Sequence, residues 1–229
     1  MYKNITILDK EKSKDLKFDE VDLSYIGKNV GLIPLGFSEV WYASFNSAVI
    51  INSGENAEFL AFTGILPEIS MFNLSNVYFP AFIRAYPFLS IDVNDDKNSL
   101  NSVIAIDENP LFVGVDKEHK IVDDGKNLTQ FALNKVNLVR ELNRQREVSR
   151  KIVKELKSKD LLIKKDLKVR LNNQEKTILD EFYVVNIDKL LKLDDETIAT
   201  WAKKGWMSIF DAHLKSISNF EKILTLNAK

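Results

Sequence analysis

The sequence predicts an α+β fold, with a β-rich first part and a mainly helical second part that carries a late hairpin. Three observations point there. Up to about residue 125 the apolar runs are short, of strand length, and separated by turn chemistry, as at Ala48-Val49-Ile50-Ile51 before Asn52-Ser53-Gly54. From Asn127 to about Lys157, Leu128, Phe131, Leu138, Leu142, Ile152 and Leu156 share one face of a long helix. Near the C-terminus Trp206, Ile209, Phe210, His213, Ile217, Phe220 and Leu224 recur at helical spacing.

Taken in order, Ile5-Thr6-Ile7-Leu8 is a short strand ending at Asp9. Leu16 and Phe18 alternate with polar neighbours as on a half-buried strand. Val30 to Leu35 is a strand stopped by Pro34-Leu35-Gly36. Ser38 with Glu39 opens a short helix through Trp41, Tyr42 and Phe45. The 48–51 strand and a second over Glu58 to Leu66 form a hairpin, which Pro67 ends.

Residues 77–88, Val77-Tyr78-Phe79-Pro80-Ala81-Phe82-Ile83-Arg84-Ala85-Tyr86-Pro87-Phe88, are dense in aromatics and hold two prolines, which break helix and inner strand alike. A buried, irregular crossing with Arg84 as its only charge is expected. Strands follow at Phe88 to Val93 and Ser102 to Ile106, joined by the polar turn Asn94-Asp95-Asp96-Lys97-Asn98. Shorter pieces lie at Leu111 to Val115 and Ile121-Val122.

Asn127 with Gln130 gives a capping-box pattern for the long helix. Lys135, Gln145 and Ser149 interrupt its apolar face, which argues against a two-stranded coiled coil. Leu167, Val169 and Leu171 alternate with charges. After a turn at Asn172-Asn173-Gln174-Glu175, Thr177 to Val185 returns as the hairpin partner. Asp194 or Asp195 caps a helix that stops at Gly205, before the last helical stripe. Residues 1–229 read as a single domain, with 1–125 and 126–229 as the only subdivision that composition suggests.

Composition excludes several chemistries. There is no cysteine, hence no disulfide, thiolate nucleophile or cysteine-ligated zinc. His119 and His213 are the only histidines, too few for a three-imidazole site. The net charge of -1 hides a split: 10 Lys+Arg against 19 Asp+Glu over residues 1–125, and 22 against 14 thereafter. Such a split suits mutual attraction or two differently charged faces for partners, although a Lys-rich solvated helix also explains it. No apolar run approaches the roughly 20 residues of a membrane helix, and the N-terminus does not read as a signal peptide, so cytoplasmic residence is the expectation.

Candidate chemistry is sparse. His213 lies on the apolar stripe of the last helix, as a base or ligand, or as a buried imidazole bonded to backbone. Arg84 among aromatics can clamp a carboxylate or phosphate, pair with a buried acid, or stack on Tyr86 or Tyr78. Arg84, Tyr86 and His213 form the candidate ligand site if the fold brings them together. His119, in Asp116-Lys117-Glu118-His119-Lys120, reads as a solvated loop residue. The acidic turns at 92–98 and 123–125 lack the calcium-loop pattern. Arg140, Arg144, Arg146, Arg150, Lys151 and Lys154 are diluted by Glu141, Glu147 and Glu155, which argues against a nucleic-acid surface. No phosphate loop, nucleophile elbow or His-Glu-x-x-His motif occurs. No catalytic residue, metal or cofactor is therefore expected.

The order of features resembles the SapC-like family of bacterial proteins, named for a protein linked to the surface layer of Campylobacter. The resemblance rests on Val30-Gly31-Leu32-Ile33-Pro34-Leu35 and, most specifically, on Tyr78 to Phe88 with its aromatic-Pro-Ala start, Arg84 and Tyr86-Pro87-Phe88. It continues at Phe182-Tyr183-Val184-Val185 with Ile187-Asp188-Lys189-Leu190, and at Gly205 to Ile217 with Ala212-His213-Leu214 and Ser216. It covers nearly the whole chain and implies surface-layer (S-layer) biology. A non-enzymatic accessory or adaptor with a protein partner in surface-layer assembly or export is the first expectation. An enzyme or small-molecule binder at Arg84, Tyr86 and His213 is the alternative, and a structural subunit of the layer is the third.

Overall fold

Short β-branched and aromatic runs pair into small antiparallel sheets, and the polar turns between them set where each strand stops. The computed structural model describes residues 1–94, 100–123, 126–171 and 174–226. In chain order the elements begin β1 (Ile5–Ile7), β2 (Lys17–Phe18), α1 (Leu23–Gly27), β3 (Leu32–Pro34), α2 (Glu39–Ala43), β4 (Ala48–Asn52), β5 (Phe59–Phe62), β6 (Gly64–Leu66), β7 (Ile69–Ser70), α3 (Ala81–Arg84), β8 (Phe88–Asn94) and β9 (Leu100–Asp107). They continue β10 (Val113–Gly114), β11 (His119–Lys120), β12 (Val122–Asp123), β13 (Asn127–Leu128), α4 (Gln130–Ser158), β14 (Leu162–Leu171), β15 (Gln174–Val185), α5 (Ile187–Leu190), α6 (Asp195–Lys203), α7 (Trp206–Ser216) and α8 (Asn219–Leu224). The fold is α+β. The 95–98 part of the first acidic turn, Asp124-Gly125 and the Asn172-Asn173 turn lie outside the described residues.

The chain divides into two units, 1–27 with 81–144 and 28–80 with 145–229. The change of texture near residue 125 is therefore the onset of a helix and not a change of core: residues 130–144 of α4 go with the first unit and 145–158 with the second. In the first unit β1, β9 and β8 form one sheet, and β2 pairs with both β10 and β11. Its core joins Phe18, Phe88, Ile106, Val113 and Ile121 to Ala132, Val136 and Val139 of α4. The two prolines of the aromatic stretch flank α3 and do not forbid it. Pro80 sits just ahead of the first helical residue, where its missing N–H costs nothing.

The second unit is built on a five-stranded antiparallel sheet in the order β14-β15-β4-β5-β3. β4 and β5 form the predicted hairpin, and β14 and β15 the late one. Register slips in the late hairpin where Asp180 and Glu181 stand opposite Asp166, and Glu181 takes φ 50°. Such a bulge bends the strand. β15 accordingly pairs with β4 at Phe182 and Tyr183. α7 packs on β4 and β15, and α8 adds Phe220 against Phe62 and Phe182. Gly205, at φ 75°, ends α6 and opens α7, a left-handed position that suits glycine.

Both edges of this sheet are guarded. β14 carries Lys164, Lys165 and Lys168. β3 ends in Pro34, which has no N–H to offer. Buried Glu58, at the β5 end of the 48–62 hairpin, accepts a bidentate pair from Arg146 at 2.6 and 2.8 Å, and Arg150 Nε lies 3.6 Å from it. These arginines of the basic helix thus serve the interior of their own unit.

Gly64, between β5 and β7, is a point of close approach. A Cβ there would sit 2.3 Å from the Ile69 carbonyl oxygen and 2.8 Å from Ser70 Cα. Gly64→Ala must push one backbone off another. It is expected to cost about 1–3 kcal/mol in denaturant melts, as other overpacking does.

Candidate functional site

The three residues singled out in the sequence fall in both units. Arg84, half-buried, ends α3 in the first unit. Its carbonyl accepts a 2.6 Å bond from Lys135 Nζ. That explains one polar interruption of the α4 face: Lys135 caps a helix end, where a cation is favoured. Burial holds the Lys135 ammonium below its ordinary pKa; the charge of Glu20 offsets part of this, and that of Arg84 adds a smaller downward push.

Tyr86, fully buried in the same unit, donates its hydroxyl to Asp107 at 2.9 Å. Asp107 is itself wholly buried and also accepts from the backbone N–H groups of Lys3 at 3.0 Å and Asn4 at 2.7 Å. Tyr2 stacks on Tyr86 with ring centroids 5.8 Å apart. Burial first, then the Asp107 hydrogen bond and charge, push the Tyr86 hydroxyl above the ordinary tyrosine range. The group is an un-ionised donor at neutral pH and ties the segment before β8 to Asp107 of β9, which in turn holds the backbone of Lys3 and Asn4.

His213 belongs to the second unit and has no exposed surface. The register Tyr183↔Ile51 would set Val185 opposite Val49, but direct β4–β15 pairing is seen at Phe182 and Tyr183. The imidazole bridges Val185 and Val49. The Val185 N–H donates to Nε2 at 3.1 Å, so the ring proton sits on Nδ1 and is donated to the Val49 carbonyl at 2.8 Å. Ser216 Oγ accepts the Val49 N–H at 2.8 Å. Residues i and i+3 of α7 thus complete the ladder along β4. Burial depresses the imidazole pKa to about 4, partly offset by the Val49 hydrogen bond. Both ring nitrogens are committed to backbone.

The surface most suited to recognition lies on α2. After β3, the Gly36 carbonyl accepts the Glu39 N–H at 2.9 Å, and the Gly36 N–H donates to Glu39 Oε2 at 3.0 Å, the reciprocal pattern of a capping box. Glu39 Oε1 accepts the Tyr78 hydroxyl at 2.7 Å. The Ser38 N–H donates to Gln145 Oε1 at 2.8 Å, a task for a second polar residue on the α4 face. Past the other end of α2, Asn219 Nδ2 donates to the carbonyls of Ser44 at 2.7 Å and Ser47 at 3.0 Å. Val40 and Ala43 are buried, and α2 packs on α7.

This pinned helix ends at Ala43, short of the expected Phe45, and with the turn that follows it holds three aromatics in water. Trp41 is 44%, Tyr42 56% and Phe45 62% exposed. Trp41 and Phe45 meet edge to face at 6.0 Å, and Tyr42 stacks on Tyr78 at 5.6 Å. The spacing of 41, 42 and 45 places them on one helical face in the sequence. Which face turns inward was not legible there: the small Val40–Ala43 side wins because it lets α2 approach α7 closely.

Two expectations are corrected. His119 is not a solvated loop residue. It lies half-buried in β11, opposite Phe18, with its ring stacked on Phe131 at 4.2 Å. Asn127 does not cap α4 but pairs in β13, and Thr129 Oγ1 takes the cap position, accepting the Ala132 N–H at 3.3 Å. Among the described residues no group of three or more His, Asp or Glu side chains is placed to hold a metal ion. Among them, too, no helix is long and apolar enough to cross a membrane.

The SapC family model matches residues 8–223, nearly the whole chain. No curated protein and no solved structure matches it.

Proposed function

The chain belongs to the SapC family, and on that premise we propose that it is a non-enzymatic accessory or adaptor in the assembly or export of a bacterial surface layer, acting in the cytoplasm. The observation that supports this reading is the aromatic face of α2. Trp and Tyr are the residues in which binding energy concentrates at protein interfaces, and the core of such an interface is poor in charge. Trp41, Tyr42 and Phe45 form such a patch without a charged side chain among them. The helix beneath is fixed by Gln145 and Asn219, so little ordering entropy opposes docking. The expected partner is a surface-layer subunit or a component of its secretion machinery.

A ligand site on Arg84, Tyr86 and His213 is the alternative. It would have to draw on polar atoms that already have partners, the Tyr86 hydroxyl on Asp107 and both His213 nitrogens on backbone. A lattice subunit is the third reading, and recovery of the protein from the outer face of intact cells would favour it.

Affinity isolation from the native cell tests the proposal, comparing the natural chain with the double variant Trp41→Ser, Phe45→Ser. Both side chains are more than a third exposed, and an unchanged melting temperature is the check that the variant keeps its fold. Loss of one interface anchor costs about 2 kcal/mol or more, roughly thirtyfold in affinity. Recovery of the surface-layer or secretion component is expected to fall by at least that factor. Equal recovery from both chains would refute the assignment of this face.

A further inference from the structure

The second unit holds a cleft of about 420 Å³ that shares no residue with the α2 surface. Its size falls within the roughly 300–1,000 Å³ of small-ligand sites. One wall is Lys176–Leu179 of β15, on the outer part of the hairpin beyond the Glu181 bulge. The other is Gly31 and Leu32 at the start of β3, Phe62 at the end of β5, and Gly64 to Leu66 of β6. The two glycines touch: a Cβ on Gly31 would lie 2.8 Å from the Gly64 carbonyl oxygen.

The lining selects the occupant. The side chains that bound the space are Leu32, Phe62, Ile65, Leu66, Ile178 and Leu179, with Thr177 and Lys176 as the polar ones. Among the described residues no carboxylate lines it, and Lys176 gives the cleft a positive charge at an exposed position. A peptide strand is a poor match for the neighbouring edge. Gly31 and Leu35 bond toward β5, so the outward groups of β3 are those of Leu32 and Pro34, and proline supplies no N–H. An apolar body with one anionic head fits both the walls and the charge.

We propose that this cleft binds a single-chain anionic amphiphile, its alkyl body between β15 and the β3–β6 wall and its carboxylate at Lys176. Binding is then driven by the apolar walls, and the lysine sets the orientation. Each methylene taken from water should strengthen binding about fourfold. The exposed Lys176 pair should add only about two- to fivefold.

The test is calorimetric titration of the full chain with octanoate, decanoate and dodecanoate below their micelle concentrations, and with decanol as the uncharged control. Affinity is expected to rise about fifteenfold for each two carbons. Decanol and the Lys176→Gln variant should each show the two- to fivefold loss. Leu66→Glu, a substitution at an exposed wall position, should weaken decanoate at least tenfold while the melting temperature holds. Absence of binding overturns the proposal. So does binding without chain-length dependence, or binding equal in the natural chain and both variants.

Discussion

Replacing His213 with alanine is expected to destabilise the protein by about 3–5 kcal/mol and to remove a specific pH dependence. The imidazole satisfies the Val185 N–H and the Val49 carbonyl, both inside the protein. Losing it strands a buried donor and a buried acceptor, each worth about 1–3 kcal/mol, and leaves a cavity. The pH signature follows from the sign of the shift. Burial lowers the His213 pKa to about 4 in the folded chain, from an ordinary 6.5. Between those values the unfolded chain binds the extra proton, so stability rises with pH from about 4 to 6.5 and is lost as pH falls through that window. The span corresponds to about 3 kcal/mol. Protonated Nε2 also cannot accept the Val185 N–H. Urea melts from pH 4 to 7 should show a slope in the natural chain that His213→Gln lacks. An unchanged slope would remove His213 from the account.

Asp107→Ala should be nearly as costly, again about 3–5 kcal/mol. This carboxylate gathers two backbone N–H groups and the Tyr86 hydroxyl in a site without solvent exposure. Its removal orphans three donors at about 1–3 kcal/mol each, although Lys3 and Asn4 lie near the surface and regain water. Asp107→Asn keeps one acceptor and should lose less. Tyr86→Phe alone should cost about 1–3 kcal/mol, as for other hydrogen bonds to charged groups. In the double-mutant cycle the two changes should fail to add by about 1 kcal/mol or more, because they share one bond. Hydrogen exchange at Lys3 and Asn4 should quicken in Asp107→Ala and stay slow in Tyr86→Phe. Additive losses would show that Tyr86 and Asp107 do not act as a pair.

Periodic features of this chain were legible because they report burial directly. The stripe from Trp206 to Leu224, the long helix after residue 127 and the two hairpins each follow the side-chain period of the element they build. Features set by tertiary pairing were not. Nothing local says that Thr129 outcompetes Asn127 as a cap, since that depends on Asn127 pairing with Asp123. Nothing local places His119 on Phe131, which is brought there by the β2–β11 pairing. The polar interruptions of α4 misled only in part. They argued against a coiled coil, but the jobs of Lys135 and Gln145 as caps for other helices depend on residues 51 and 107 positions away.

The candidate site divides along the same line. His213 was singled out for lying on an apolar stripe, and its two backbone bonds come from strands far away in sequence. Trp41, Tyr42 and Phe45 were assigned to a helix, but their exposure follows from the choice of Val40 and Ala43 as the packing side. A helix of five residues offers too short a period for sequence alone to decide that orientation.

The most direct test of the proposed adaptor role is photo-crosslinking in the living cell, with a photoreactive phenylalanine analogue at position 45 and, as control, at exposed Leu191. The account predicts a discrete adduct from position 45 that contains a surface-layer or secretion component, absent from position 191 and lost when Trp41 is changed to Ser. Equal labelling from both positions, or none from position 45, would contradict it.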